Sequence, residues 1–259
     1  MPDRIHPFDA LDNFRDFGDY ATVSGRRLVK GRLFRSAHQA RVSDADLQRL
    51  AAFGIGTVVD LRRPSERRDQ PSRRPPGFSG QVIESAHDDG GEAPHLTFLK
   101  TADLTPESGR RFMTETYRRL PFEPAHLELF SRYFRALGDE DAPVLIHCAA
   151  GKDRTGLLAA LTHLLLDVNR DDMVEDYLLT NTAVDLEGRA PGIARQLQAM
   201  TGRSVSHDAV VAFLGVEPVY LETALDEIVA RFGSIEGYLR DALGVDASVR
   251  DRIERRLAA

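Results

Sequence analysis

The run Pro143-Val-Leu-Ile-His-Cys148 passes without a break into Ala-Ala-Gly-Lys-Asp-Arg-Thr-Gly156. The first half is short, apolar and β-branched, and it predicts a buried strand. The segment from Arg154 to about Asp167 is apolar on most sides and predicts a buried helix. Only the short turn at Gly151 separates the two. A buried strand that feeds a buried helix through so tight a loop calls for an α/β architecture, with helices covering both faces of a largely parallel sheet.

The flanking sequence fits that frame. "SDADLQRLAAFG" predicts a helix with Ser43 as N-cap, Asp46 three residues on and Gly54 past its end. "IGTVVDLR" (55–62) and "GQVIES" (80–85) predict strands. "YATVSGRRLVKGRLFRS" predicts two further strand-like pieces joined at Ser24-Gly25. "PSERRDQPSRRPPG" (64–77) and "HDDGGEAP" (87–94) read as surface loops. From Pro106 to about Gly138 the pattern is helical, broken near Leu120-Pro121, and everything after Asp167 reads as helices. No linker interrupts the chain, so a single domain over 1–259 is expected.

Net charge of −6 gives no reason to expect a nucleic-acid surface, and the longest apolar stretch, "GLLAALTHLLLDV", is too short to span a membrane. The single cysteine excludes an internal disulfide. "MPDRIHPFDA" lacks the layout of a signal peptide, so the expectation is a cytoplasmic protein or one exported without a recognisable signal. The oligomeric state is not legible.

The chemistry concentrates in the central loop. Backbone N–H groups of a tight loop and of a helix N-terminus converge on one spot, and the helix dipole adds positive potential there. Such a spot favours a phosphate, and equally the thiolate of a cysteine placed at its rim. On this reading Ala149, Ala150, Gly151, Lys152, Asp153 and Arg154 form a phosphate cradle, and Cys148 is a nucleophile aimed at phosphorus. The planar fork of Arg154 suits two phosphoryl oxygens, and Thr155 can donate a hydrogen bond to the sulfur. A lone cysteine is more often an inert core residue; here strand, glycines, arginine and threonine all fall where a phosphate wants them. A nucleotide-binding P-loop requires Gly, four residues, then Gly-Lys-Ser/Thr. Ile146 stands where the first glycine belongs and Asp153 follows Lys152, so that alternative fails.

"HCAAGKDRTG" resembles the signature of cysteine-dependent protein tyrosine phosphatases, and its Gly-Lys-Asp-Arg form resembles an atypical bacterial branch of them. "NFRDFGDY" (13–20), the block from Gly31 to Arg67, "DYLLTN" (176–181) and "GSIEGYLRDALG" (233–244) resemble other segments of that branch. The resemblance implies a tyrosine-phosphatase-like fold without cofactor or metal, with a helical lid over about 190–216. It implies a phosphorylated protein or a phosphoinositide as substrate, phosphocysteine formation on Cys148 and phosphoryl binding by Arg154. It also assigns proton transfer to Asp153.

Asp153, flanked by Lys152 and Arg154, suits a base better than an acid. Asp60, at the end of its strand, is the second candidate, and Asp88 and Asp89 are weaker ones. His147 is expected to brace the loop, His163 to sit in the core, and Lys152 to add charge for acidic substrates. Arg62, Arg63, Arg67 and Arg68 form a basic cluster, read as a solvated loop or as an anion-recruiting one. A sulfurtransferase and a non-catalytic phospho-ligand module are the remaining readings. The Arg154-Thr155 pair argues against the first, and the presence of both Cys148 and Arg154 against the second.

Overall fold

Strand register explains why the loops of interest meet. In the computed structural model, which describes residues 4–87 and 94–259, the strands are β1 (Arg15–Asp16), β2 (Leu33–Ser36), β3 (Thr57–Asp60), β4 (Gln81–Glu84) and β5 (Val144–His147). They form one sheet in the order β1-β2-β5-β3-β4, parallel except for β1. Ser36 and Asp60 both pair with His147, so the chain leaves β2, β3 and β5 at one edge of the sheet. Ligand sites of open parallel sheets form at such carboxyl edges.

The strands carry apolar residues on both faces, as a covered sheet requires. Phe34, Val58 and Leu145 join a smaller core under α1 (Asp44–Ala51). Leu33, Val59, Val144 and Ile146 join the main core. The helices contributing to that main core include α4 (Pro106–Arg119), α5 (Pro124–Asp139), α6 (Asp153–Leu165), α7 (Arg170–Ala183), α10 (Pro218–Phe232), α11 (Ile235–Asp241) and α12 (Ala247–Leu257). Ser43 caps α1 and forms the expected capping box with Asp46, and Gly54 beyond it has φ +62°. The helical break near Pro121 is a short 3-10 turn, Leu120–Phe122.

Some elements differ from expectation. The Arg- and Pro-rich stretch read as loop opens with a helix, α2 (Pro64–Asp69). Pro64 takes its first position and Glu66 accepts the Arg63 N–H, so the start is capped although no apolar face announces it. Another helix, α3 (Pro94–Thr101), follows residues 88–93. The first of the two N-terminal strand pieces reduces to two isolated bridges, Ala21 with Arg27 and Thr22 with Val168; the second becomes β2. In the region implied to be a lid, α8 (Leu186–Thr201) starts before Pro191 and carries it internally, and α9 (His207–Leu214) follows. Ala190, Leu197, Val205, Ala209 and Val210 give these two helices a small core of their own, against which Leu99 and Leu104 pack. Among the described residues no helix is long and apolar enough to cross a membrane.

Candidate active site

The loop from Cys148 to Lys152 is held by its carbonyl groups. Asn13 Nδ2 donates to the carbonyls of Ala150 (3.1 Å) and Gly151 (2.9 Å). Arg35 Nη2 also donates to Gly151 O (3.0 Å), and the His38 N–H donates to Ala149 O (3.1 Å). In a trans peptide C=O and N–H point opposite ways. Anchoring these three carbonyls to the scaffold therefore turns the N–H groups of Ala150, Gly151 and Lys152 away from it. Three successive N–H groups turned one way form the kind of concavity that can receive an anion. Gly151 has φ +65°, and a Cβ there would stand 2.3 Å from the Ser36 carbonyl oxygen, so no other residue fits.

Behind the loop lies a buried ionic network. Asp176 of α7 accepts from Arg15 Nε (3.1 Å) and Arg35 Nη1 (2.6 Å), and all three side chains are shut away from solvent. Arg15 also donates to Asn13 Oδ1, to the Asp176 carbonyl (2.8 Å) and to Thr180 Oγ1 (3.3 Å). Burial opposes the charge on Asp176, but Arg15 and Arg35 outweigh it and hold the carboxyl well below its usual range. Burial and repulsion by Arg35 bring Arg15 down to about 10. The "NFRD" and "DYLLTN" segments thus meet as one brace under the loop.

The residues singled out from the sequence fall into two groups. Cys148, Asp153 and Arg154 come together at the β5–α6 junction, with Cys148 buried. Arg154 makes a two-pronged ion pair with Glu66 of α2, Nη1 to Oε2 at 2.7 Å and Nη2 to Oε1 at 2.9 Å, and Nη1 also donates to Leu61 O (3.0 Å). Burial disfavours the Arg154 cation, but bonding to Glu66 and the nearby Cys148 and Asp153 more than offset it and raise its pKa. Glu66 was not foreseen. An acid at the third position of a helix signals a helix start, not an arginine partner.

Other expectations need correction. Lys152 is not a solvated cation: Nζ is buried and donates to the carbonyls of Phe213 (3.0 Å) and Gly215 (3.3 Å), capping the end of α9. Thr155 does not donate to the Cys148 sulfur; its hydroxyl is buried with no hydrogen-bond partner among the described residues. Arg62 is not solvated but buried and forked onto Asp60, Nε to Oδ1 (2.9 Å) and Nη2 to Oδ2 (2.7 Å). Arg67 donates to the carbonyls of Arg62 and Ser85, both at 2.7 Å. Asp60 is therefore a braced carboxylate, ill-suited to giving up a proton. His147 is fully buried, with Nδ1 3.4 Å from Cys148 O and Nε2 3.5 Å from Asp60 Oδ2, a bracing position. His163 donates to the Phe17 carbonyl (2.7 Å) in the core. Asp88 and Asp89 lie outside the described residues. Among the described residues no group of three or more His, Cys, Asp or Glu side chains is arranged to hold a metal ion.

A cavity of about 270 Å³ adjoins the loop, lined in part by Ala149, Ala150, Lys152, His38, Arg41 and Arg189. Neither Cys148 nor Arg154 lines it.

Residues 6–259 match a family model described as "tyrosine phosphatase family". The chain belongs to the tyrosine phosphatase family. It is 34% identical to the triple specificity protein phosphatase PtpB of Mycobacterium tuberculosis, over 93% of this chain and 94% of that protein. It is 34% identical to a candidate tyrosine-protein phosphatase of Cupriavidus necator, over 93% of this chain and 85% of the relative. A tyrosine-protein phosphatase of Nostoc commune is 28% identical over 86% of this chain and 73% of its own. The chain is accordingly a phosphoric monoester hydrolase acting on phosphorylated substrates.

The ionic brace of this phosphatase has a pH signature. Burial disfavours charge on Asp60, but His147 and Arg62 outweigh it and bring it down to about 2. Burial also opposes Glu66, which Arg154 brings down to about 2. Burial pushes His147 down from 6.5 to about 4. The unfolded chain protonates His147 near 6.5 while the folded one stays neutral, so stability falls as pH drops from 6.5 to about 4. The carboxylates stabilise the fold above their unfolded values of 3.8 and 4.5, and that contribution is lost as pH falls toward about 2. Urea midpoints measured from pH 8 to about 3 are expected to decline in these two stages. Glu66→Gln should shrink the stage below pH 4.5, leaving the Asp60 part, and leave the upper one intact. Identical profiles for the two proteins would refute the Glu66 contribution.

Proposed function

We propose that the chain hydrolyses phosphotyrosine in proteins, and phosphoserine or phosphothreonine as secondary substrates, through a phosphocysteine on Cys148. The observation that carries this reading is the outward clamping of the Ala149, Ala150 and Gly151 carbonyls beside the one cysteine of the chain. The N–H groups so turned, with the Arg154 fork, bind the phosphoryl oxygens and stabilise the charge they gain in the transition state. The Cys148 thiolate attacks phosphorus, the P–O bond to the leaving group breaks, and the leaving oxygen departs with that electron pair and takes its proton from solvent water, which is left as hydroxide. Water then attacks phosphorus, the P–S electron pair returns to sulfur, and Asp153 accepts the proton of the water.

Hydrolysis of phosphoinositides, which the resemblance of the signature loop implies, is the second reading. The inward course of Lys152 favours the protein substrates, because it takes a cation away from a highly charged inositol ring.

Two measurements test the proposal. After quenching with an aryl phosphate in the presence of chelator, the intact protein should gain the mass of one phosphoryl group on the Cys148 peptide. A panel of phosphotyrosine peptide, phosphoserine peptide and inositol phosphate should give the highest kcat/KM for the first. Hydrolysis that requires a divalent cation, or an inositol phosphate preferred over both peptides, would overturn it.

A further inference from the structure

Two buried tyrosines lead to the carboxylate of the loop. Tyr117 of α4 donates from its hydroxyl to Asp153 Oδ1 at 2.9 Å. Its own oxygen is 2.8 Å from the hydroxyl of Tyr177 of α7. Because the Tyr117 proton is committed to the carboxylate, Tyr177 must be the donor in that second bond. The chain therefore has one direction: Tyr177, Tyr117, Asp153. Both rings are fully enclosed and meet edge to face, with centroids 6.3 Å apart at 80°. Gly156 makes room for this, since a Cβ there would lie 3.0 Å from two atoms of the Tyr177 ring. The first turn of α6 is thus kept bare on the side where the phenol chain reaches the loop.

We propose that Tyr117, oriented by Tyr177, is a positioning residue that fixes Asp153 as a hydrogen-bond acceptor and so commits it to the base role in hydrolysis of the phosphocysteine. This inference rests on the reading that Asp153 moves the proton. A phenol donating to a carboxylate oxygen favours its charged form. Burial raises both phenols well above their ordinary value, so they remain protonated donors across the working pH range. In the step itself, the water oxygen bonds to phosphorus as the P–S bond breaks. The sulfur leaves as thiolate, and the proton from water goes to Asp153. Oδ1 holds the Tyr117 bond throughout, which fixes the plane of the carboxyl group.

The other charged or titratable groups around Asp153 do not change when a phenol is removed. They are Lys152, with Nζ 3.6 Å from the same Oδ1, the adjoining Arg154, His95 of α3 and Tyr220 of α10. Glu66 is paired with Arg154. The phenols could serve only to satisfy one another in the core. That role would leave the pH dependence of catalysis untouched, so the pH profile separates the two.

The experiment compares pH–rate profiles of kcat and kcat/KM on an aryl phosphate for the parent, Asp153→Asn, Tyr117→Phe and Tyr177→Phe. Asp153→Asn should remove the acidic limb of kcat. Tyr117→Phe should move that limb to higher pH, lowering kcat about tenfold at a fixed pH on it, the scale of a hydrogen bond to a charged group. KM should hardly change. Tyr177→Phe should move the limb in the same direction by less, and it supplies an independent reading should Tyr117→Phe fold poorly. If Asp153→Asn removes the limb while both phenylalanine variants leave it in place, the positioning role is refuted and the base assignment stands. If Asp153→Asn leaves both limbs intact, the base assignment fails and the positioning role falls with it.

Discussion

Cys148→Ser is expected to lower kcat on an aryl phosphate by about 10⁴-fold or more, the scale on which enzymes lose rate when a nucleophile is deleted. An alcohol in this position attacks phosphorus far less readily than a sulfur nucleophile. The chain has no second thiol to take over. The substitution exchanges one buried atom for a slightly smaller one, so the fold should persist and the variant should still bind a phosphotyrosine peptide. Initial rates and binding isotherms on the same preparation check both statements. A variant retaining activity within about tenfold of the parent would sink the phosphocysteine mechanism.

Asp176→Ala is expected to cost about 3–5 kcal/mol of stability, as breaking a buried ion pair by removing one partner does. Its effect exceeds that of a surface pair because two guanidinium groups, Arg15 and Arg35, would be left enclosed with no anion between them. The damage should also reach catalysis. Arg15 and Arg35 hold Asn13 and Gly151, and through them the loop carbonyls. Urea denaturation and kcat/KM on one variant test the link. A loss below about 1 kcal/mol would mean that water enters to solvate the arginines and that the network is not a rigid brace.

The parts of this molecule legible in its sequence are those written in local patterns. Ser43 with Asp46, Gly54 and the Leu120-Pro121 break act through the backbone within a few residues, and each lies where expected. The apolar runs of β3 and β5 and the all-round apolar α6 are legible because burial on every side leaves no polar stripe. Cys148, Asp153 and Arg154 are legible because one stretch of seven residues carries them all. What escaped is polar and distant in sequence. α2 has no buried residue and is fixed by ion pairs, so it shows no apolar period. Glu66 meets Arg154 across 88 positions, and Tyr177 meets Tyr117 across 60. Lys152 reads as a charge offered to acidic substrates because no local signal says that the carbonyls of Phe213 and Gly215 wait above it. The quoted "NFRD" and "DYLLTN" segments marked kinship and gave no hint that Arg15 and Asp176 are paired.

The carbonyl clamp on Ala149, Ala150 and Gly151 bears on the thermodynamics of recognition. A loop whose peptide planes are fixed by Asn13, Arg35 and His38 loses its conformational entropy once, as the chain folds, and loses little more when an oxyanion arrives. On the proposed reading, a small ion such as phosphate or vanadate should meet a site already in its binding shape, its affinity set by contacts and charge with little deduction for ordering. A phosphopeptide meets the same preorganised centre, and the entropy it must surrender is mainly its own.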